Sequence, residues 1–182
     1  LATPSAMMAG TGKGAEYGVL LRGGEYIEHA RKLRTVVFDK TGTLTKGEPS
    51  VTDTLAYGGY GEDKVLEFAA IAEKGSEHPL AEAIVKAAVG AGFNIPDAES
   101  FEAIPGHGVR ATYQSKEILL GNRKLMKDNH VRMEQVEKVL MEFEEQGKTA
   151  MILAVNGEVA GLVAVMDTPK DHATKAIRKL KD

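Results

Sequence analysis

The stretch AMILAVNGEVAGLVAV, residues 150–165, limits the fold more than any other part of this 182-residue chain. Two apolar runs flank Asn156-Gly157, a pair suited to the positive φ angles of a two-residue turn. The expected product is a tight antiparallel hairpin. Its apolar faces need cover, and amphipathic segments are at hand. Asp63–Lys74 (DKVLEFAAIAEK) reads as a helix with a broad apolar face. Pro79–Ala91 reads as a clearer one, with Leu80, Ile84, Val85, Ala88 and Val89 on one side and proline at its first position. Val136, Val139, Leu140 and Phe143 mark a third, stopped at Gly147. Ser100–Leu120 reads as strands interrupted by PGHG at 105–108 and QSKE at 114–117, and Val51–Tyr57 reads as a further extended stretch.

One short apolar strand, Thr35–Phe38 (TVVF), stands apart from this block, and its pattern is that of a strand buried on both faces. After the block, MDTPKDHATKAIRKL reads as a turn and a helix, with Asp167 or Thr168 near the helix start and Pro169 early in it. A lone strand, a self-contained α+β block over 48–165 and a returning helix form the pattern of a parallel α/β domain interrupted by an inserted domain. Both termini read as cut. With 43% hydrophobic and 27% charged residues, the chain can build an ordinary core. It has no cysteine, so neither disulfides nor a thiolate metal site is available. A net charge of −3 gives no reason to propose nucleic acid as a partner. No apolar run reaches the roughly 18 residues that span a bilayer.

Asp39, at the tip of the TVVF strand, has three readings: a turn aspartate, a metal ligand or a nucleophile. Ligands of open α/β sheets gather beyond the carboxyl ends of strands. The residues that follow (Lys40, Thr41, Gly42, Thr43, Thr45) supply a cation, hydroxyls and backbone N–H groups able to approach a phosphate. A carboxylate needs no base to activate it, so alignment and charge neutralisation would suffice for attack on a phosphoryl group. Two glycine-lysine pairs, at 12–13 and 147–148, lack the earlier glycine of a P-loop. The adjacent Met7 and Met8 read as packing residues.

Asp39-Lys40-Thr41-Gly42-Thr43-Leu44-Thr45 resembles, at all seven positions, the phosphorylation signature of P-type ATPases. Ser76-Glu77-His78-Pro79-Leu80 resembles the SEHPL motif of the heavy-metal (CPx-type, class IB) pumps. Gly106-His107-Gly108-Val109 resembles their GxG segment, and Gly121-Asn122-Arg123 their GN[RK] segment. Asp167-Thr168-Pro169-Lys170 resembles a DxP[RK] hinge. The motifs keep the family's order, and the likeness runs from Leu1 to Asp182. It is most like a copper-transporting ATPase.

The resemblance implies an incomplete Rossmann-like (haloacid-dehalogenase-like) phosphorylation domain with an inserted α+β nucleotide-binding domain, an antiparallel sheet flanked by helices. The implied parts are a membrane-proximal stalk at 1–30, phosphorylation-domain pieces at 31–47 and 166–182, and the nucleotide-binding domain at 48–165. Asp39 is then the phosphate acceptor, with Lys40 and Thr41 beside it, and Asp39 with the Thr41 carbonyl holds Mg²⁺. Glu73, His78, Gly106, Gly108, Val109, Gly121 and Asn122 bind ATP. Read on their own terms, His78 suits a structural histidine just before a proline-started helix, Asn122 a helix cap, and Glu73 a solvated helix charge. The implied partners are adenine nucleotide, the pump's actuator and transmembrane parts, the rest of its phosphorylation domain, and a copper chaperone or metal-binding domain. The implied setting is the cytoplasmic side of an integral membrane protein, the piece itself being soluble. The chain on its own is expected to bind nucleotide with little turnover. A zinc/cadmium pump, a non-catalytic nucleotide-binding module and a dehalogenase-like phosphatase are the alternatives. The phosphatase usually carries a second aspartate where Thr41 stands.

Overall fold

The six strands of the sheet run in the spatial order β1-β6-β5-β4-β3-β2, every neighbouring pair antiparallel. They are β1 (Thr45–Ala56), β2 (Ser100–Ile104), β3 (Gly108–Tyr113), β4 (Lys116–Gly121), β5 (Thr149–Val155) and β6 (Glu158–Pro169). The computed structural model describes residues 2–20, 22, 23, 26, 27, 29 and 32–181. They divide into two compact units, 1–38 and 39–182. The first holds α1 (Ala2–Glu16), which runs through Gly10, Gly12 and Gly14 and is followed by a turn with Gly18 at φ +77°. Its small, glycine-rich residues carry no helical periodicity, so this helix was not expected. Met8 on it is 78% exposed, so it does not pack as expected.

The sheet belongs to the second unit, and helices cover both of its faces. The helices α2 (Glu62–Glu73) and α3 (Pro79–Gly90) lie on one side. There Val65, Phe68, Ala72, Ile84 and Ala88 meet Ala111, Ile118, Leu120, Leu153 and Val163. On the other side are α4 (Arg123–Asp128) and α5 (Glu137–Glu145). Leu125, Leu140 and Phe143 pack there on Leu119, Ile152 and Leu162. Successive strand residues point to opposite faces, so a sheet covered twice needs strands that are apolar throughout. That is why 150–165 is a continuous apolar run. The hairpin forms as its turn residues require, with Asn156 at φ +50° and Gly157 at φ +80°.

Two expectations are corrected. Thr35–Phe38 is extended but carries no strand pairing, with Val36, Val37 and Phe38 at 49%, 90% and 38% exposure. A strand exists through its hydrogen-bonded neighbours, and no described segment offers this one an edge. Asp167 to Pro169 close β6 rather than opening a helix, and α6 starts later, at Ala173–Lys181. Pairing of Thr45 with Pro169 and Pro49 with Asp167 outcompetes the helix start. β1 and β6 are each 12 residues long, and their far ends form a narrow ribbon that carries the Asp39 turn. No helix among the described residues is long and apolar enough to cross a membrane.

Candidate functional site

Asp39 opens a tight turn over Lys40–Leu44. Thr41 (φ −74°, ψ 124°) and Gly42 (φ 74°, ψ −14°) have the angles of the central pair of a type II turn. The second position demands φ > 0, which glycine meets without strain. The turn is closed by Thr45, whose N–H donates to the Lys40 carbonyl. The Thr45 side-chain oxygen accepts from the Gly42 N–H at 3.2 Å. Its single proton has two takers, the Asp167 carboxylate at 2.5 Å and the Lys40 carbonyl at 3.0 Å, and the shorter, charged contact wins. Asp167 also accepts from the Gly47 N–H at 2.9 Å. Lys170 donates from Nζ to the Gly42 carbonyl at 2.6 Å, and from its backbone N–H to the Leu44 carbonyl. Thr45 is thereby buried, whereas Asp39, Lys40 and Thr41 remain exposed.

Glu73 ends α2, and its side chain is drawn inward, the residue only 6% exposed. Ser76 hydrogen-bonds its carboxyl, yet Oε2 has no partner. Burial pushes this carboxyl above the usual carboxylate range, against the downward pull of Ser76 and of nearby His78. Ser76 Oγ also accepts from the His78 N–H at 3.3 Å. His78 caps α3, with Nδ1 accepting from the Leu80 N–H at 3.1 Å. Because Nδ1 accepts, the ring's N–H lies on Nε2, which is left as an outward donor. Between these two residues, Gly75 lies flat on the Phe101 ring of β2. A Cβ there would sit 3.0–3.3 Å from three ring carbons. A cleft of about 470 Å³ reaches Glu73 and Ser76 along α3, walled by Ala81, Val85 and Val89.

The glycine motifs meet at the ends of β3 and β4. Gly108 and Gly121 are register partners, so close that a Cβ on either would come within 2.2 Å of the opposite backbone. Gly108 also has φ +142°. Asn122 is held at both ends of its amide. Its Oδ1 accepts from the Leu125 N–H at 3.0 Å, capping α4, and its Nδ2 donates to the Gly106 carbonyl at 2.9 Å. Its backbone N–H donates to the His107 carbonyl. Val109 is buried under the α2 side of the sheet at 4% exposure.

The site residues inferred from sequence thus fall into three groups. Gly106, Gly108, Gly121 and Asn122 touch one another, and Glu73 and His78 share Ser76. Asp39, Lys40 and Thr41 sit on the ribbon. The Gly75–Phe101 contact joins the second group to the strand hairpin that carries the glycine pair. A narrow cleft of about 240 Å³, lined by Gly47, Glu48, Pro49, Pro79, Glu82 and Lys86, lies between the base of the ribbon and the helix that His78 caps. The sequence reading missed Ser76 and Phe101 as supports, and the tie between Thr45 and Asp167. The serine stood inside a quoted motif. The tie spans 122 positions and has no local signal.

A haloacid dehalogenase-like hydrolase family profile matches residues 33–182. The chain belongs to that family. Across its whole length it is 48% identical to a copper-exporting P-type ATPase of Staphylococcus saprophyticus, of which it spans 22%. Among solved structures, a zinc-transporting PIB-type ATPase in the E2.Pi state aligns with 98% of this chain and 29% of its own. The TM-score is 0.88 and the identity 35%. The N-domain of HMA8, a copper-transporting P-type ATPase, is 26% identical with a TM-score of 0.54, and the match covers 63% of this chain and 98% of that domain. The homologues of the chain are thus P-type ATPases, and its antiparallel sheet flanked by helices has its structural neighbours among their catalytic domains.

Oxygen donors suited to a hard divalent cation are present at Asp39 and at the Thr41 carbonyl, which takes no hydrogen bond from another part of the fold among the described residues. Two such donors fit Mg²⁺, which keeps several waters and shares phosphate oxygens rather than filling an all-protein cage. No group of three or more acidic, histidine or cysteine ligands occurs among the described residues.

Proposed function

We propose that the chain is the ATP-binding and phosphorylation region of a copper-transporting P-type ATPase on the cytoplasmic side of its membrane. The observation that carries this reading is the 48% identity over the full chain, joined to an exposed Asp39 on a turn whose geometry requires Gly42. Greater identity to a copper exporter than to the zinc-transporting structure favours copper over zinc or cadmium. In this reading, residues 1–30 form the stalk, 48–165 bind nucleotide, and 31–47 with 166–182 belong to the phosphorylation domain. The actuator, the transmembrane helices, the remaining phosphorylation domain and a copper chaperone are its partners.

The chemistry follows from the three groups. Glu73 and His78 hold the purine end of ATP. Asn122 fixes the Gly106–Gly108 loop, whose lack of side chains lets the backbone approach the nucleoside. A carboxylate oxygen of Asp39 attacks the γ-phosphorus as the bond from that phosphorus to the bridging oxygen breaks. ADP leaves with the electron pair, and an aspartyl phosphate remains. Mg²⁺, when bound, supplies charge neutralisation on the phosphate oxygens. The Thr45–Asp167 tie and the Lys170–Gly42 contact keep the turn in shape, so that attack is a matter of alignment.

Labelling the full-length pump with γ-labelled ATP tests the acceptor. Acid-stable, hydroxylamine-sensitive phosphate is expected on wild type and none on Asp39→Asn. Label of equal amount on both would overturn the assignment. For the purine end, calorimetry of ATP against His78→Gln is expected to show at least about tenfold weakening, on the order of 1.4 kcal/mol. Unchanged affinity would remove His78 from the site.

A further inference from the structure

The sheet narrows at one level. β6 has β1 on one side and β5 on the other as far as Val165, which faces both Val51 and Thr149. Beyond it, Ser50 with Met166, Pro49 with Asp167 and Thr45 with Pro169 are the pairs of a two-stranded ribbon. Past Val51 and Val165 the ribbon adds no residue to either apolar cluster. On the α3 side its base borders clefts of about 310 and 240 Å³, where Lys86 and Glu48, both exposed, approach to 3.8 Å. Packing alone therefore does not fix the direction in which the ribbon leaves the sheet.

The same level holds a β-bulge. Val51 pairs with Val165 and Asp53 with Ala164, so Thr52 is the extra residue. Regular alternation would put Val51 and Leu55 on one face. Instead Val51 packs on the α2–α3 side and Leu55 on the α4–α5 side. A bulge bends and twists its strand, so the bend needs a fixed partner. Asp53 and Lys148 meet there at 2.6 Å, the lysine standing just before β5 and reaching over β6. With side-chain exposures of 31% and 13%, this is the most buried ion pair among the described residues. Asp53 Oδ2 also accepts from the Thr52 hydroxyl at 2.7 Å. Burial works against the charge on Asp53, yet Lys148 and Thr52 outweigh it and hold the carboxyl below the usual range. Lys148 is itself anchored. Its Nζ lies 4.9 Å from the centre of the Phe143 ring, and its backbone N–H donates to the Phe143 carbonyl at 3.0 Å. Phe143 belongs to the apolar layer under α5. The pair thus ties the bulge of β1 to α5. Such a pair resists displacement, because parting it leaves a partly buried charge without its partner.

We propose that Asp53 and Lys148 are positioning residues, whose ion pair sets the direction of the ribbon and through it the approach of Asp39 to the γ-phosphate. This rests on the phosphorylation reading above. The side-chain contacts of the pair, to Thr52 and Phe143, reach none of the residues assigned to ATP or to the acceptor. Asp39 lies at the far end of the ribbon, so a small change of angle at the bulge is enlarged there. A displacement of about 1 Å at a reacting atom can cost on the order of a hundredfold in rate.

The chain has no cysteine, so two introduced ones label it at chosen points. Spin labels at Lys46→Cys on the ribbon and Lys127→Cys on α4 report the distance distribution between ribbon and body. One narrow distribution is expected with the pair intact. A broadened or displaced one is expected in Asp53→Asn and in Lys148→Met, which keeps an apolar stem over Phe143. In the full-length pump, the rate of Asp39 labelling at saturating ATP is expected to fall at least about fivefold in either variant. ATP affinity by calorimetry is expected to stay within about twofold of wild type. The double variant is expected to lose no more than either single one, because each alone already breaks the pair. An unchanged distance distribution in both variants overturns the inference, and so does labelling at the wild-type rate. Affinity falling in step with the rate would reveal a general loss of fold and overturn it as well. Should the wild type take no label, the phosphorylation reading fails, while the distance distributions still decide whether the pair sets the ribbon.

Discussion

The region of Glu73, His78 and the glycine pair and the Asp39 turn belong to one compact unit but are held in place by opposite means. Around Glu73, His78 and the glycine pair, position comes from packing. Gly108 and Gly121 leave no room for a methyl group, Gly75 rests on a ring, and α2 is anchored by Phe68 and Ala72 at full burial. Around Asp39, position comes from polar contacts at the end of a two-stranded ribbon. The turn buries none of its own residues Lys40–Leu44, and its shape rests on Thr45, Asp167 and Lys170. Packing tolerates little displacement. A few hydrogen bonds on a narrow ribbon can re-form at another angle at small cost. Under the proposed function, the difference would suit a rigid base-binding body and an acceptor that must be brought to a phosphate.

The largest effect that can break this comparison is expected at Gly108. Gly108→Ala meets the Leu120 carbonyl at 2.2 Å in a backbone conformation that disfavours side chains. A loss of about 3 kcal/mol or more is expected from overpacking and strain together, read as a lowered melting temperature. A loss below about 1 kcal/mol would mean that this end yields as readily as the ribbon.

Asp167→Ala removes both bonds of the ribbon tie. Global stability is expected to fall by only about 1 kcal/mol. Hydrogen exchange at the Gly42 and Gly47 amides is expected to accelerate, while amides of β4 and β5 keep their protection. Equal loss of protection in both places would erase the distinction between the two regions.

The smallest effect concerns Glu73 and has a sign fixed by its burial. Its folded-state carboxyl is raised above its unfolded value by desolvation first. The native state therefore binds the proton more tightly, and this contribution is complete below the unfolded pKa. It is lost as pH climbs through the folded one. Glu73→Gln cannot ionise, so its stability relative to wild type should grow over that window and level off above it. Denaturant titrations from pH 4 to 8 check the trend. A constant difference would show that Glu73 is not buried at a cost.

Where a signal was local, the sequence carried it. Asn156-Gly157 dictated the hairpin, because two positive φ angles in succession suit few residue pairs. The apolar stripes of 63–74 and 79–91 foretold the helices observed at 62–73 and 79–90, and Pro79 and Asn122 were open to view as helix starts. The seven residues from Asp39 to Thr45 pointed to the P-type ATPases, among which the homologues of the chain are found. The unpaired state of Thr35–Phe38 was not legible, since β-branched residues express a preference for strand and only a neighbouring edge can satisfy it.

The sequence by itself determined the hairpin, the amphipathic helices, the motifs and the family to which they point, since turn angles and apolar periodicity are properties of a few consecutive residues. The tertiary structure alone decided that Thr45 is tied to Asp167, that Gly108 faces Gly121, that Gly75 rests on Phe101 and that Glu73 is buried with an oxygen to spare. Each of those depends on which segments become neighbours in space. Burial and unmet hydrogen bonds are set by that neighbourhood and not by residue type.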